Sequence, residues 1–353
     1  MTEDNIGRLQ RAKTERNLVW KDMKTYWDNG FTSPLTSIEI VCTSPACITA
    51  KEGGKILAFQ HMPFGTECPE YSEDFLILLS NGGYSWQHFI QDVWPFLIFC
   101  SDLLRARPDI TVVLFSPIFD SFEVFWKMTG FQNRIGFIAP GATFKTRGKM
   151  YTLVLDQEGD LGEYPPSFIQ KGLNVIAPKC SQVVQDRFIY IVRETGKRAV
   201  QNDALLRNLL SKYAKMSHLE FTPVNPSALP ISERFALFRR ARYVVAPHGG
   251  GNYHIIFCQP GTIFLEICFQ ECLHTFFWLA RAREMKYWMY ISEHYGHFSA
   301  GVTIDLEDLE KTLLVIHSRE FQSHHSSDNQ KEDHCVEHQT DPVGTTVSGA
   351  HQP

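Results

Sequence analysis

A histidine and three glycines follow a short apolar run in the C-terminal half of the chain. The run Tyr243 to Ala246 is typical of a buried parallel strand, and Pro247 ends it. Glycines let a backbone approach a ligand closely, and the free N–H groups at the start of a following helix favour an anion. The pattern predicts a phosphate-binding loop made of His248, Gly249, Gly250 and Gly251.

The residues after this loop could complete a nucleotide site. Asn252 is placed to cap a short apolar helix, and a second strand, Thr262 to Ile267, comes after a Pro-Gly turn. Glu266 stands near the C-terminal end of that strand, where an acidic residue can accept hydrogen bonds from ribose hydroxyls. Strand, loop, helix and Glu266 together indicate a nucleoside diphosphate site.

Alternating strands and helices must position these residues. The alternation runs from about residue 37 to 139, and again, more regularly, from Arg187 to His317. The first series contains a long apolar helix, Ser85 to Arg107, in which His88 and Asp92 are four residues apart and therefore share a face. This order predicts parallel sheets covered by helices, in two α/β domains that face each other across a cleft.

The chain divides into four predicted parts. These are an N-terminal helical lead at residues 1–34, an N-terminal α/β domain at 35–170, a C-terminal nucleotide-binding α/β domain at 171–320 and a disordered polar tail at 321–353. The tail contains His334, Cys335 and His338, which could bind a metal, although a solvated tail is the simpler interpretation.

Composition and charge exclude several classes of protein. The net charge of −5 argues against a nucleic-acid binder, which would need clustered Lys and Arg. No apolar run reaches the length of a membrane-spanning helix, and the N-terminus has no signal-peptide core. Among the nine cysteines, Cys42 with Cys47 or Cys268 with Cys272 could pair in an oxidising compartment, but mostly buried free thiols are expected.

Several motifs occur in an order that resembles glycosyltransferase family 61. IYIVRETGKRAVQND is followed by the histidine–glycine loop, the strand with Glu266 and FWLARAREMKYWMY, over about residues 188–290. SWQHFIQD adds a fainter match upstream. The family pattern is matched at His88, Asp92, Arg193, Arg198, Asn202, His248, Gly249, Gly251 and Glu266.

One departure from the family pattern lies just after the loop. The family usually reads His-Gly-Ala-Gly-Leu-x-Asn, whereas here Asn252 replaces the Leu and His254 occupies the Asn position. The donor contact of that Asn is therefore not carried over, and the preference for a particular sugar stays open.

The resemblance implies a GT-B-like architecture of two Rossmann-like domains, with the nucleotide-sugar held mainly by the C-terminal one. It implies inverting transfer, without a metal or further cofactor, from a UDP-sugar (UDP-GlcNAc or UDP-xylose) to a hydroxyl of a protein or glycan acceptor. N-acetylglucosamine is the first expectation. The lack of a D-x-D triplet agrees with metal independence. Family members work in the ER or Golgi lumen, but no signal peptide or membrane segment is present here, so a cytoplasmic or truncated form stays open.

The resemblance also implies roles for individual residues. Arg193, Arg198 and the glycine amides could neutralise the leaving UDP, and His88 or Asp92 could take the proton from the acceptor hydroxyl. Three of the remaining expected donor contacts each have a simpler alternative: Asn202 as the cap of the helix that begins near Asp203, His248 as a support of the loop, and Glu266 as an ion-paired strand end. Asn252 is expected beside them in the donor site.

Two other functions fit part of the sequence. HGGG is also the oxyanion-hole motif of esterases, but the nearest nucleophile string, around Ser299, lacks its first glycine. The second alternative is a transferase scaffold that binds UDP or a glycan without catalysis, which His254 and the missing secretory signal favour.

Overall fold

The computed structural model describes most of the two predicted α/β series. The described residues are 38–43, 46–49, 69–79, 85–116, 122–131, 133–139, 142–155, 183–193, 199–269, 275–292 and 301–321. The predicted lead at 1–34, the tail beyond Phe321 and the boundary near residue 170 lie outside them. Among the helices in these ranges, none is both long enough and apolar enough to cross a membrane.

The N-terminal half contains a mixed sheet and a small second sheet. Its described strands are β1 (Ile38–Thr43), β2 (Ala46–Thr49), β3 (Glu70–Tyr71), β4 (Phe75–Ile77), β5 (Thr111–Phe115), β6 (Ile135–Ile138), β7 (Thr143–Thr146) and β8 (Met150–Leu155). The larger sheet has the order β1-β8-β4-β5-β6, in which β1 alone pairs antiparallel, and the smaller has the order β2-β7-β3. An antiparallel edge on a parallel sheet is common in α/β proteins.

The predicted apolar helix from Ser85 to Arg107 is interrupted. It consists of α1 (Trp86–His88), a π-helical turn (Phe89–Val93), α2 (Trp94–Phe99) and α3 (Ser101–Ala106), with α4 (Phe122–Thr129) further on. Pro95 lies in the first turn of α2 and has no N–H to donate to the preceding turn, which accounts for the break there. Because the widened turn separates His88 from Asp92, their four-residue spacing no longer defines a shared helix face.

The C-terminal half is a parallel α/β sheet. Its described strands have the order β10-β9-β11-β12-β13, and every neighbouring pair is parallel. They are β9 (Arg187–Ile191), β10 (Glu220–Val224), β11 (Ala241–Pro247), β12 (Ile263–Cys268) and β13 (Lys286–Ile291). The helices are α5 (Asp203–Met216), α6 (Ile231–Arg239), α7 (Thr275–Ala282) and α8 (Leu306–Glu320), with 3₁₀ segments at Pro226–Ala228 and Gly250–Phe257.

An apolar core continues from one half into the other. Buried side chains of the π-helical turn and α2, such as Phe89 and Trp94, belong to the same cluster as Ile255 and Phe257 of the 3₁₀ segment after β11. The predicted GT-B-like α/β architecture of two helix-covered sheets is therefore confirmed, although the N-terminal sheet is mixed. The shared core holds the N-terminal helix against the glycine loop.

Candidate functional site

A cavity of about 180 Å³ lies at the carboxyl edge of the C-terminal sheet. The strand order reverses here, because β9 lies between β10 and β11, and parallel α/β sheets bind ligands at such switch points. The wall is formed by residues at or after the ends of these three strands: Ile191, Val192, Arg193, Asn225, Pro226, Ser227, Pro247, Gly251 and Asn252.

Arg193 connects the end of β9 to the glycine loop. Its Nη1 donates a hydrogen bond to the main-chain oxygen of His248, at 2.9 Å. The guanidinium occupies the space that a side chain at position 249 would need, so only Gly249 allows this approach. The loop and the arginine are therefore fitted to each other, and the guanidinium places a positive charge at the cavity wall.

The other two glycines have different close neighbours. The side chain of Gln87, from α1, fills the space beside Gly250. At Gly251 an added Cβ would lie only 3.3 Å from Cγ2 of Ile191, tighter than ordinary van der Waals contact. The loop is thus pressed between the N-terminal helix and β9.

Asn252 lines the cavity with an unpaired amide. Its side chain is 1% exposed, and neither Oδ1 nor Nδ2 has a hydrogen-bond partner among the described residues. A buried amide without a partner costs about 1–3 kcal/mol, unless a ligand group satisfies it. The prediction that Asn252 caps the next helix is wrong, because the 3₁₀ segment already begins at Gly250.

Glu266 does not face the cavity. It is fully buried, its Oε1 lies 2.5 Å from Nδ1 of His248, and its Oε2 accepts a hydrogen bond of 2.6 Å from the hydroxyl of Tyr287. Both oxygens are therefore engaged by protein groups. The structure places Glu266 as a support for His248, rather than as the ribose contact expected from its position on the strand.

His248, Glu266 and Cys268 offer ligand atoms within 4.8 Å of one another. Cys268, however, is disulfide-bonded, and a disulfide sulfur lacks the thiolate that binds metals. We therefore do not assign a metal to this cluster. Cys100 and Cys258 are buried free thiols, as expected for most cysteines, and burial raises the pKa of each to about 12.

Asn202 has a structural role that the sequence did not predict. Its Nδ2 donates to the main-chain oxygen of Ile304 at 2.8 Å, and its Oδ1 accepts from the N–H of Ile304 at 3.0 Å. The helix does begin at Asp203, but no side-chain cap bond is formed. Asn202 therefore occupies the N-cap position, as one of its two expected roles had it, while its side chain is engaged by the segment before α8. Its expected contact with the donor stays a prediction.

The structure describes only part of the two candidate bases, His88 and Asp92, and of the second arginine, Arg198. His88 is half-buried in α1, which contacts the 3₁₀ segment Gly250–Phe257. The side chain of Asp92 and all of Arg198 lie outside the described part of the chain. The roles expected for these residues therefore stay predictions.

His254, where the chain departs from the family pattern, packs between the two halves. Its ring stacks on Trp86 at 5.2 Å and on Phe238 at 5.6 Å between centroids, and its Nδ1 lies 2.8 Å from the main-chain oxygen of Gly251. Burial, reinforced by nearby Arg234, lowers the pKa of His254 to about 3. The residue is therefore a neutral interface group that is absent from the cavity wall.

Comparisons with known proteins identify the family of this chain. The family model described as Glycosyltransferase 61 matches residues 86–265, just over half of the chain, from α1 to the strand that carries Glu266. No curated protein matches significantly. Among solved structures, the E. coli heptosyltransferase WaaC with ADP has 8% sequence identity and a TM-score of 0.35, over 71% of this chain and 99% of that chain. On the family match, the chain belongs to glycosyltransferase family 61.

Proposed function

We propose that this protein is an active, inverting glycosyltransferase that moves a sugar from a UDP-sugar to a hydroxyl of a protein or glycan acceptor. The supporting observation is the cavity at the switch point, where Arg193, Asn252 and the glycine loop converge. UDP-GlcNAc is the first donor to test and UDP-xylose the second, by analogy with the family.

The donor is held by groups at the carboxyl edge of β9 and β11. Arg193 and the amides of Gly249 to Gly251 offer positive charge and hydrogen bonds to the diphosphate, which gains charge as the sugar leaves. The unpaired amide of Asn252 offers one acceptor and two donors to the base or the sugar. Arg198 is assigned to the diphosphate by the sequence pattern alone.

The base is proposed to come from the N-terminal helix. Gln87 lies against Gly250, so the adjacent His88 belongs to a turn that is already in contact with the loop. Inverting transfer needs a base on the side of the sugar opposite the leaving group, and we assign this base to the N-terminal half. His88 and Asp92 are the candidates.

The donor is proposed to react without a metal and in an oxidising compartment. The chain has no D-x-D triplet to hold a metal against the diphosphate, and Arg193 can supply charge in its place. The disulfide at Cys268 favours the secretory pathway, since disulfides persist in oxidising compartments. Cys272 is the proposed partner of Cys268.

Nucleotide binding and turnover test the proposal separately. We expect UDP and UDP-GlcNAc to raise the melting temperature, with about 2.7 kcal/mol of stabilisation at a hundred times Kd, and GDP to do so less. UDP release should then depend on an acceptor and fall in His88→Ala or Asp92→Asn. A preference for GDP would contradict the donor assignment, whereas UDP binding without turnover of any sugar would favour the non-catalytic scaffold.

Substitution of Gly249 by alanine is expected to weaken UDP binding and transfer at least tenfold. The added Cβ displaces the Arg193 guanidinium, and the backbone strain costs about 1–3 kcal/mol. The matched control is Gly261→Ala, which has positive φ (78°) and whose added Cβ would meet only Nη1 of Arg242, at an ordinary contact distance of 3.9 Å. Gly261 is not among the residues that line the cavity. Calorimetric titration with UDP measures the affinity of both variants. If Gly261→Ala weakens UDP binding as much as Gly249→Ala, the loss is due to lower stability and not to the displaced Arg193.

A further inference from the structure

A buried chain of hydrogen bonds runs from β13 to the glycine loop. The hydroxyl of Tyr287 donates to Oε2 of Glu266 at 2.6 Å, and Oε1 of Glu266 lies 2.5 Å from Nδ1 of His248. Tyr287 and Glu266 have no exposed surface, and His248 is 4% exposed. None of the motifs expected from the sequence assigned a role to Tyr287.

The direction of these hydrogen bonds follows from the chemistry of the three groups. Burial, together with the neighbouring Glu266 carboxylate, raises the pKa of Tyr287 well above its ordinary value, so the phenol keeps its proton and donates it. As a carboxylate, Glu266 accepts at both oxygens, so the partner of Oε1 is an Nδ1–H on His248. That arrangement places Nε2, on the opposite edge of the ring, as the nitrogen that can accept or carry a proton.

The main chain of His248 is held as firmly as its ring. Its N–H donates to the main-chain oxygen of Ile267 at 2.8 Å, and its own oxygen accepts from Arg193. The same residue thus connects the Tyr287–Glu266 pair on one side with the arginine of the cavity wall on the other. A shift of the His248 ring or backbone would be transmitted to Arg193.

We propose that Tyr287 is a positioning residue for sugar transfer: it holds Glu266, and Glu266 in turn fixes the His248 ring as the Nδ1–H form beside the glycine loop. The inference rests on the proposed function for its effect on catalysis. Its structural part, the state of the His248 ring, can be measured without any substrate.

The ring and the hydroxyl of Tyr287 can be separated experimentally. The ring packs edge-on against Phe264 and Phe277, with centroids 5.7 Å and 5.6 Å away, so Tyr287→Phe keeps this packing and removes only the hydrogen bond. The matched control is Tyr190→Phe, which removes a buried hydroxyl bonded to Asp203 at 2.8 Å, on β9 of the same sheet, two strands away from β12 and three from β13.

The test combines ¹⁵N-histidine NMR with kinetics. The His248 signals are identified by their loss in His248→Asn. In Tyr287→Phe we expect them to move toward the Nε2–H form, and kcat to fall about tenfold or more while the KM for the donor changes less than about threefold. Tyr190→Phe should lower the melting temperature but leave both readouts unchanged.

The possible outcomes separate the inference from the proposed function. If Tyr287→Phe loses stability but keeps the wild-type His248 signals and kcat, the hydroxyl is only structural and the inference is overturned. If the signals move but the wild-type protein transfers no sugar, the positioning of His248 stands and the proposed function fails. Should Tyr287→Phe not fold, Glu266→Gln must show the same change in the His248 signals, and unchanged signals there would refute the inference.

Discussion

Replacement of Arg193 by glutamine is expected to lower the rate of sugar transfer by about 10²–10³-fold, the usual loss when one donor to a developing oxyanion is removed. Arg193 lies in the cavity wall and donates to the main-chain oxygen of His248, so it couples a positive charge to the loop that is proposed to hold the diphosphate. Glutamine keeps an N–H donor but is shorter than arginine and carries no charge. The measurement is kcat/KM for UDP release in the presence of acceptor.

Two further variants show whether charge or geometry is responsible. Arg193→Lys keeps the charge without the planar fork and should recover only part of the rate. Arg240→Gln breaks an ion pair with Asp186 near the amino end of β9, away from the cavity, and should leave transfer unchanged. If Arg193→Gln keeps the wild-type kcat/KM, the assignment of Arg193 to the leaving diphosphate is refuted.

Acidification below pH 6.5 is expected to destabilise the protein through His254, by about 1.4 kcal/mol per pH unit. Burial lowers the pKa of this side chain to about 3, so the folded protein keeps it neutral while the unfolded chain binds a proton at its ordinary pKa near 6.5. The stability contributed by neutral His254 is therefore complete above pH 6.5 and is lost as pH falls toward 3. Urea unfolding between pH 6.5 and 5, above the range of most carboxylates, measures the slope.

The pH dependence of the free energy of unfolding, rather than its value at one pH, shows whether His254 is responsible. His254→Asn removes the titrating group and should flatten the dependence on pH, although it also changes packing against Trp86 and Phe238. His317→Gln is the control, because the pKa of His317 is also lowered by burial but its ring is less enclosed. Equal slopes in wild type and His254→Asn would show that His254 does not keep its neutral form on folding.

The local elements of the site could be predicted from the sequence. The predicted strand Thr262–Ile267 is observed as β12, Ile263–Cys268, and the apolar run before His248 is the end of β11. Such strands can be predicted because the apolar run and the Pro or Gly that ends it are both local features of the sequence. The family model matches residues 86–265, which include the loop and the first half of β12.

Interactions between distant residues could not be predicted in this way. Gln87 lies beside Gly250, and the ring of His254 stacks on Trp86, because packing of the two halves brings α1 onto the loop. No local periodicity carries that information. The interruption of the helix by Pro95 likewise altered the expected relation between His88 and Asp92.

The role of Glu266 shows most clearly what only the tertiary structure decided. The sequence placed an acid near a strand end beside a glycine loop, which is where a ribose contact would lie. The register of β12 against β13 pairs Phe264 with Tyr287, so these two side chains lie on the same face of the sheet. Glu266 is two residues after Phe264 and therefore shares that face with Tyr287. The carboxylate therefore turns inward to Tyr287 and His248. The sequence by itself determined the histidine–glycine loop and the acidic residue on the strand that follows it. The register of β12 against β13 determined that Glu266 contacts His248 inside the core and so supports the loop.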